Sequence, residues 1–167
     1  SRQLDAAWIC GFPFVAYKNE LSLLAVPIWH GRPLYQSYLI TNDREPAGGL
    51  KDLRGSIHAF SDPDSNSGYL VTRADLAALG ERPDGFFRHY FFTYGHRNVI
   101  RAVSAGLARS GSVDGYVYEV LKQTEPDLIR STHVVHKSEW LGFPPIAAPA
   151  SAADSAATVR LQRALLE

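Results

Sequence analysis

Two hydrophobic rhythms alternate along this chain. Residues 5–9 form an apolar run that reads as a short strand. Residues 10–13, Cys10-Gly11-Phe12-Pro13, turn into a helix reaching about Asn19, and residues 21–28 are an unbroken apolar run suited to the interior of a parallel sheet. Residues 35–41 alternate as a strand does. Residues 42–49, rich in Asn, Asp, Pro and Gly, break every period and predict a loop and a lobe boundary. Beyond it the pattern predicts a short helix at 50–53, a strand at 56–60, a polar turn at 61–68 and a helix at 69–79. A strand at 87–93 and a helix at 97–106 follow, the helix carrying Val99, Ile100 and Val103 on one face. A strand at 113–117 runs into a helix at 118–122, and another strand is expected at 132–135. Residues 142–146 read as an extended return segment and 147–153 as an Ala/Pro connector. Residues 154–167 place Ala157, Leu161, Ala164 and Leu165 at helical spacing behind Asp154 or Ser155 as a cap. Strands alternating with helices predict an α/β sheet whose ligands gather at the carboxyl ends of strands.

Composition narrows the function classes. The 167 residues carry 17 Lys and Arg against 17 Asp and Glu, with 46% apolar and 20% charged residues, which describes one ordinary globular domain or two small lobes. Zero net charge and scattered basic residues argue against nucleic acid or an anionic membrane as partner, so a charged ligand must be held locally. A single cysteine, Cys10, permits no internal disulfide and leaves the compartment open. No apolar run reaches the roughly 18 residues of a membrane span, so no insertion in a membrane is expected of this segment. The chain has no Met, so the translation start is expected to lie elsewhere in the gene product.

Three strand-to-helix corners carry the candidate chemistry. The turn Ser61-Asp62-Pro63-Asp64-Ser65-Asn66-Ser67-Gly68 is rich in hydroxyls, and a helix start leaves backbone N–H groups free to meet an anion. Its Ser or Asn side chains serve equally well as helix caps. Asp62, Asp64 and Asn66 alternate as calcium ligands do, but glycine comes one place late, at Gly68, and Arg73 stands where the bidentate Glu belongs. The second corner, Thr93-Tyr94-Gly95-His96-Arg97-Asn98, offers His96 as an anion donor and Asn98 as a cap. The third, Asp114-Gly115-Tyr116, offers a carboxylate that accepts from a protonated ligand oxygen or an amine, or simply makes a turn. Tyr35 and Ser37 occupy a Tyr-rich strand before the boundary. The chain has no G-x-S-x-G elbow, P-loop, complete G-x-G-x-x-G or zinc spacing, so neither an enzyme nor a cofactor or metal site is expected.

In order and spacing, several stretches resemble the substrate-binding proteins of phosphate, phosphite and phosphonate ABC importers. They are Ala7-Trp8-Ile9-Cys10-Gly11-Phe12-Pro13, Leu24-Ala25-Val26-Pro27-Ile28, Arg32-Pro33-Leu34-Tyr35-Gln36-Ser37-Tyr38, Asp52-Leu53-Arg54-Gly55, the 61–69 turn, Gly95-His96, residues 113–119 and Phe143-Pro144-Pro145. The resemblance implies a two-lobe α/β fold of the type 2 periplasmic-binding-protein kind. Its first lobe would comprise residues 1–41 and 138–167, and its second residues 42–137. It further implies a periplasmic protein that binds an oxyanion between its lobes, passes it to a membrane permease and makes no bond. By similarity the ligand contacts fall on Ser65, Asn66 and Ser67, on His96, on Tyr35 and on Asp114, with Asn66 standing where Thr is frequent. The family opens with a further strand-helix-strand portion, about 30 residues for such a unit, so the first lobe is expected to be incomplete. The same module also serves as the ligand-sensing domain of signalling proteins such as histidine kinases, and more rarely in biosynthesis.

Overall fold

The structure is a computed structural model that describes residues 4–44 and 47–167; Glu45 and Pro46, inside the expected loop at 42–49, and the first three residues of the expected first lobe lie outside the described residues. The chain divides into two compact units, residues 1–34 with 142–167 and residues 35–141. The division falls earlier than the expected break at Thr41. The reason is that the strand at 37–42 hydrogen-bonds along both edges to strands of the later unit.

The first unit holds a three-stranded antiparallel sheet. Strand β1 (Ala7–Trp8) and strand β2 (Leu21–Ala25) flank a central strand whose register runs Trp8↔Ile146 on one side and Leu23↔Ala147 on the other. The apolar run at 21–28 therefore serves an antiparallel sheet, not the parallel interior its continuity predicts. Ala147 and Ala148, expected in a connector, are buried in that central strand because their small side chains let the chain pass between its neighbours. Helix α1 (Gly11–Ala16) follows Cys10 and ends before Asn19, at Tyr17. The terminal helix, Ala156–Leu166, is capped by Ser155, whose Oγ accepts from Thr158 N–H at 3.1 Å. It is tied to β2 by Gln162 Nε2 donating to the Leu24 carbonyl at 3.0 Å.

The second unit is built on five strands. After β3 (Leu34–Tyr35) come β4 (Ser37–Asn42), β5 (Ile57–Phe60), β6 (His89–Phe92), β7 (Ser110–Asp114) and β8 (Thr132–Lys137), in the sheet order β6-β5-β7-β4-β8. Strands β6, β5 and β7 are parallel, and β4 runs antiparallel to both β7 and β8. Helices α2 (Val71–Ala78) and α3 (Pro83–Phe86) supply Leu76 and Phe86 to a core with Leu39, Leu53, Phe60 and Phe87. Helices α4 (His96–Ser104), α5 (Gly115–Thr124) and α6 (Pro126–Ile129) supply Val99, Ile100, Val103, Tyr118 and Ile129 to another with Ile40, Ala59 and Val113.

Strand β7 departs most from expectation. It was expected at 113–117, yet Tyr116 and Val117 are helical because the Asp114 carboxylate accepts both their N–H groups and starts α5 there. The real strand, Ser-Gly-Ser-Val-Asp, has no apolar alternation, yet every residue in it is buried. Gly111 is required by close packing: a Cβ there would stand 2.4 Å from Val99 Cγ1 and 3.2 Å from the Ala59 carbonyl. Because backbone and a branched side chain bound that space, Gly111→Ala is expected to destabilise the protein by about 1–3 kcal/mol. Urea unfolding checks this, and an unchanged midpoint would show that α4 is free to shift.

Candidate functional site

Strand direction sets where the chemistry collects. With β5, β6 and β7 parallel, the turn after Phe60, the turn after Phe92 and Asp114 all emerge at one end of the sheet. Strand β4 runs the other way, so its beginning reaches the same end, with Ser37 opposite Asp114.

The first corner is a tight wrap around Gly68. Ser65 Oγ accepts from Gly68 N–H at 3.0 Å, Ser61 N–H donates to the Gly68 carbonyl at 3.1 Å, and Asp64 N–H donates to Asp62 Oδ1 at 2.8 Å. A Cβ on Gly68 would stand 1.8 Å from Ser61 Oγ, so only glycine closes this turn. Residues Asn66–Leu70 make a π-helical turn, a form enriched at functional sites, before α2 begins. The helix therefore starts two residues later than expected. Ser61 and Ser67 are each 1% exposed, and among the described residues neither hydroxyl has a hydrogen-bond partner. A buried hydroxyl without a partner is costly and calls for a physical reason. The Ser67 carbonyl accepts from Ser37 Oγ at 2.6 Å, which locks this corner to the start of β4.

The second corner positions His96 as the first residue of α4. Tyr94 adopts φ 53°, in the left-handed region that side chains other than glycine seldom occupy, and it is 75% exposed. Thr93 Oγ1 donates to the Gly95 carbonyl at 3.0 Å and Asn98 Nδ2 to the Thr93 carbonyl at 3.1 Å, holding the turn in that shape. Asn98 thus clamps the turn and is not the cap; the cap position is Gly95. His96 Nδ1 faces the backbone N–H of Asp114 at 3.1 Å and accepts from it. Burial lowers the His96 pKa to about 4, with nearby Asp62 opposing the shift. The ring is therefore neutral at pH 7, with Nδ1 occupied as an acceptor, so its single hydrogen sits on Nε2 as a donor.

Asp114 is 6% exposed and burial raises its pKa to about 6, against the backbone hydrogen bonds from Val117 and Tyr116. Its Oδ1 accepts from Tyr116 N–H at 2.8 Å and Val117 N–H at 3.3 Å, leaving Oδ2 for other chemistry. Ser65 and Asp114 therefore both cap helices, the alternative their residue types left open. Gly115 lets α5 approach β4: its N–H donates to the Gln36 carbonyl at 2.9 Å, and a Cβ there would meet Tyr38 Cε1 at 2.6 Å. Ser67, Ser37, Asp114 and His96 form one connected set through these contacts. Tyr35, 2% exposed, lies two residues before Ser37, and Asn66 sits in the π-helical turn.

A polar column behind the site was not foreseen. His58, fully buried on β5, meets Ser110 Oγ at 2.7 Å through Nδ1 and Ser112 Oγ at 2.9 Å through Nε2, and Ser112 Oγ meets Thr72 Oγ1 of α2 at 2.6 Å. Burial lowers the His58 pKa to about 3, and the ring stacks on Phe87 at a centroid distance of 4.4 Å. The signal in the sequence was a His and a Ser-x-Ser at strand period, which become visible as partners only after β5 and β7 are paired.

One end of the mixed sheet thus gathers neutral hydroxyl and imidazole donors, and the fold is that of type 2 periplasmic binding proteins. The chain belongs to the ABC transporter phosphonate periplasmic substrate-binding protein family, whose model matches residues 1–167. Among solved structures it is similar to PhnD1 from Prochlorococcus marinus in complex with methylphosphonate, with 19% identity, a TM-score of 0.81, and coverage of 98% of this chain and 64% of that one. It is also similar to a binding-protein component of an ABC phosphonate transporter from Pseudomonas aeruginosa, with 21% identity, a TM-score of 0.79, and coverage of 96% and 55%. A histidine kinase sensor domain with similarity to periplasmic binding proteins matches at 17% identity and a TM-score of 0.60, over 90% of this chain and 59% of that one. The chain thus spans 64% and 55% of the first two relatives.

The titrations give a stability profile with a definite sign. His58 and His96 have folded values near 3 and 4, below their ordinary 6.5, so unfolding takes up protons between those limits and stability falls on acidification through pH 6.5 to 4. Asp114, raised from 3.8 to about 6, acts oppositely: its contribution is present below 3.8 and lost as pH rises through 6. We expect His96→Gln to flatten the acid-side slope and Asp114→Asn, which keeps a cap oxygen, to steepen it. Urea midpoints between pH 4.5 and 6.5 measure both, and parallel profiles for all three proteins would refute the assignment.

Proposed function

We propose that the chain is the ligand-binding part of an extracytoplasmic solute-binding protein that captures a phosphonate, phosphite or phosphate oxyanion and delivers it to the permease of an ABC importer. The observation that carries this reading is the connected set Ser67–Ser37–Asp114–His96, in which a buried hydroxyl with no partner among the described residues and a neutral Nε2–H donor share one end of the sheet. The family supports the class of ligand, and the similar protein in complex with methylphosphonate supports a small phosphonate in particular.

Hydroxyls and a neutral imidazole suit reversible capture. Each hydrogen bond to a charged oxygen is worth roughly 1.5–3 kcal/mol, and several together reach the roughly −8 kcal/mol of micromolar binding after ordering costs. In this reading Ser65, Asn66 and Ser67 donate to the oxyanion with the turn's backbone, His96 donates through Nε2, and Tyr35 adds a phenol. Asp114 Oδ2 accepts from a protonated ligand oxygen or an amine and repels fully ionised oxyanions, which gives selectivity by charge state.

The neighbouring sensor domain favours a second reading, an input domain of a signalling protein. The flanking gene sequence separates the two: a signal peptide and a stop codon accompany transport, whereas a membrane helix and kinase segments accompany sensing.

Ser65 and Ser67 allow a sharper test than removal of the turn. Ser65→Ala deletes a cap and is expected to cost about 1 kcal/mol of stability as well as affinity. Ser67→Ala deletes a hydroxyl with no partner among the described residues, so affinity for methylphosphonate should fall about tenfold, roughly 1.4 kcal/mol, with no loss of stability. His96→Ala should weaken binding by at least the same factor. Calorimetric titration of the full-length protein provides the measurement, and unchanged affinity in His96→Ala removes the imidazole from the site.

A further inference from the structure

The segment that joins β6 to α4 bridges the gap between the two candidate corners. Strand β5 has β6 on one side and β7 on the other. Thr93, the residue after β6, donates its N–H to the Phe60 carbonyl at the end of β5 at 2.9 Å and its hydroxyl to the same oxygen at 3.3 Å. Three residues on, His96 Nδ1 accepts from the Asp114 N–H at the end of β7. Tyr94 and Gly95 therefore cross the carboxyl end of β5, where the hydroxyl-rich turn begins at Ser61, on the way to the imidazole. In that turn the Ser67 hydroxyl is buried and has no hydrogen-bond partner among the described residues.

Tyr94 is held there against its own backbone preference. Among the described residues other than glycine, His30 and Tyr94 alone adopt a left-handed φ. His30 stands with Gly31 in a two-residue turn between Trp29 and Arg32, which exchange both backbone hydrogen bonds, and such a turn requires positive φ. Tyr94 belongs to no hairpin. Its turn is fastened by Thr93 Oγ1 on the Gly95 carbonyl and Asn98 Nδ2 on the Thr93 carbonyl, a shape that glycine or asparagine adopts with less strain. Packing does not offset the strain: Tyr94 is 75% exposed, and among the described residues its side chain makes no hydrogen bond and its ring no aromatic or cationic contact. A strained residue whose side chain the fold does not use points to a contact outside the fold. Hydroxyls and an imidazole recognise oxygen atoms, whereas a phosphonate presents three oxygens and one carbon substituent. That carbon gains from an apolar surface and not from a donor, and a tyrosine ring supplies one with few side-chain torsions to immobilise.

We propose that Tyr94 is a specificity-determining residue whose ring covers the carbon substituent of a phosphonate held at the two corners, so that the site prefers alkylphosphonates to phosphite. The inference rests on the proposed function and narrows its ligand class. Methylphosphonate, ethylphosphonate and phosphite are titrated calorimetrically into the full-length protein and its Tyr94→Asn, Tyr94→Gly and Tyr94→Phe variants, and urea midpoints are measured alongside. Asparagine and glycine keep the turn and remove the ring. Both are expected to lower methylphosphonate affinity about fourfold, the worth of one buried carbon group, and ethylphosphonate affinity about tenfold or more, while phosphite affinity changes by less than about twofold. Neither should lower the urea midpoint, since each suits the left-handed turn at least as well as tyrosine. Tyr94→Phe keeps the ring and should keep the parent's preference. An unchanged preference in the Asn and Gly variants would overturn the inference. So would an equal loss for all three anions, which would make the turn a mere support for His96, or a lower midpoint in both variants, which would show the ring packing on the fold. A parent that binds phosphite and neither alkylphosphonate overturns this inference and leaves oxyanion capture standing, whereas a parent that binds none of the three removes the proposed function and this inference with it.

Discussion

The close packing along β7 is the constraint on which the second unit depends. Its small residues satisfy three demands at once. Gly111 lets Val99 and Val103 of α4 press onto one face, Ser110 and Ser112 receive the buried His58 on the other, and Asp114 ends the strand by starting α5. A strand of large apolar residues would hold α4 off the sheet. The distance between His96 Nδ1 and the Asp114 amide is set by that approach, because one belongs to α4 and the other to β7. The donor state of the imidazole is therefore a consequence of core packing several residues away.

The buried column behind the site has a matching role in energetics. His58, Ser110, Ser112 and Thr72 tie β5, β7 and α2 together with a fully hydrogen-bonded set, and Thr72 stands in the first turn of the helix that the hydroxyl-rich corner opens. Buried polar groups stabilise only when each is satisfied. Here His58 has a partner at both nitrogens, while Ser61 and Ser67, in the turn that follows the same strand, have none at their hydroxyls among the described residues. The contrast between a satisfied interior column and unsatisfied hydroxyls at the strand ends separates scaffold from candidate site within a single sheet.

The sequence made the corners legible because corners are written locally. Asp-Pro and Ser-Asn-Ser-Gly between a strand and a helix, and Gly-His at the next helix start, are signals carried by adjacent residues. Helices α2 and α4 were visible for the same reason, through the spacing of Leu76 or of Val99, Ile100 and Val103. What escaped was set by partners distant along the chain. Strand β7 lacks any alternation because both its faces are covered closely, and the 146–149 strand hides in an Ala/Pro segment because small residues are what its neighbours allow. The lobe boundary followed turn chemistry at 42–49, whereas the structural division follows hydrogen bonding of β4 to β7 and β8.

The chemistry of the donors at the carboxyl ends of β5, β6 and β7 decides how an anion would be held there. At the carboxyl ends the donors are neutral and accompanied by a carboxylate, Asp114, so the full charge of an oxyanion is never matched by an opposite full charge. A site of that kind would discriminate through geometry and protonation state. Neutral dipoles suit selection by shape and protonation, and the parallel strands β5, β6 and β7 collect them at one end of a mixed sheet because each strand there hands its chain to a helix start.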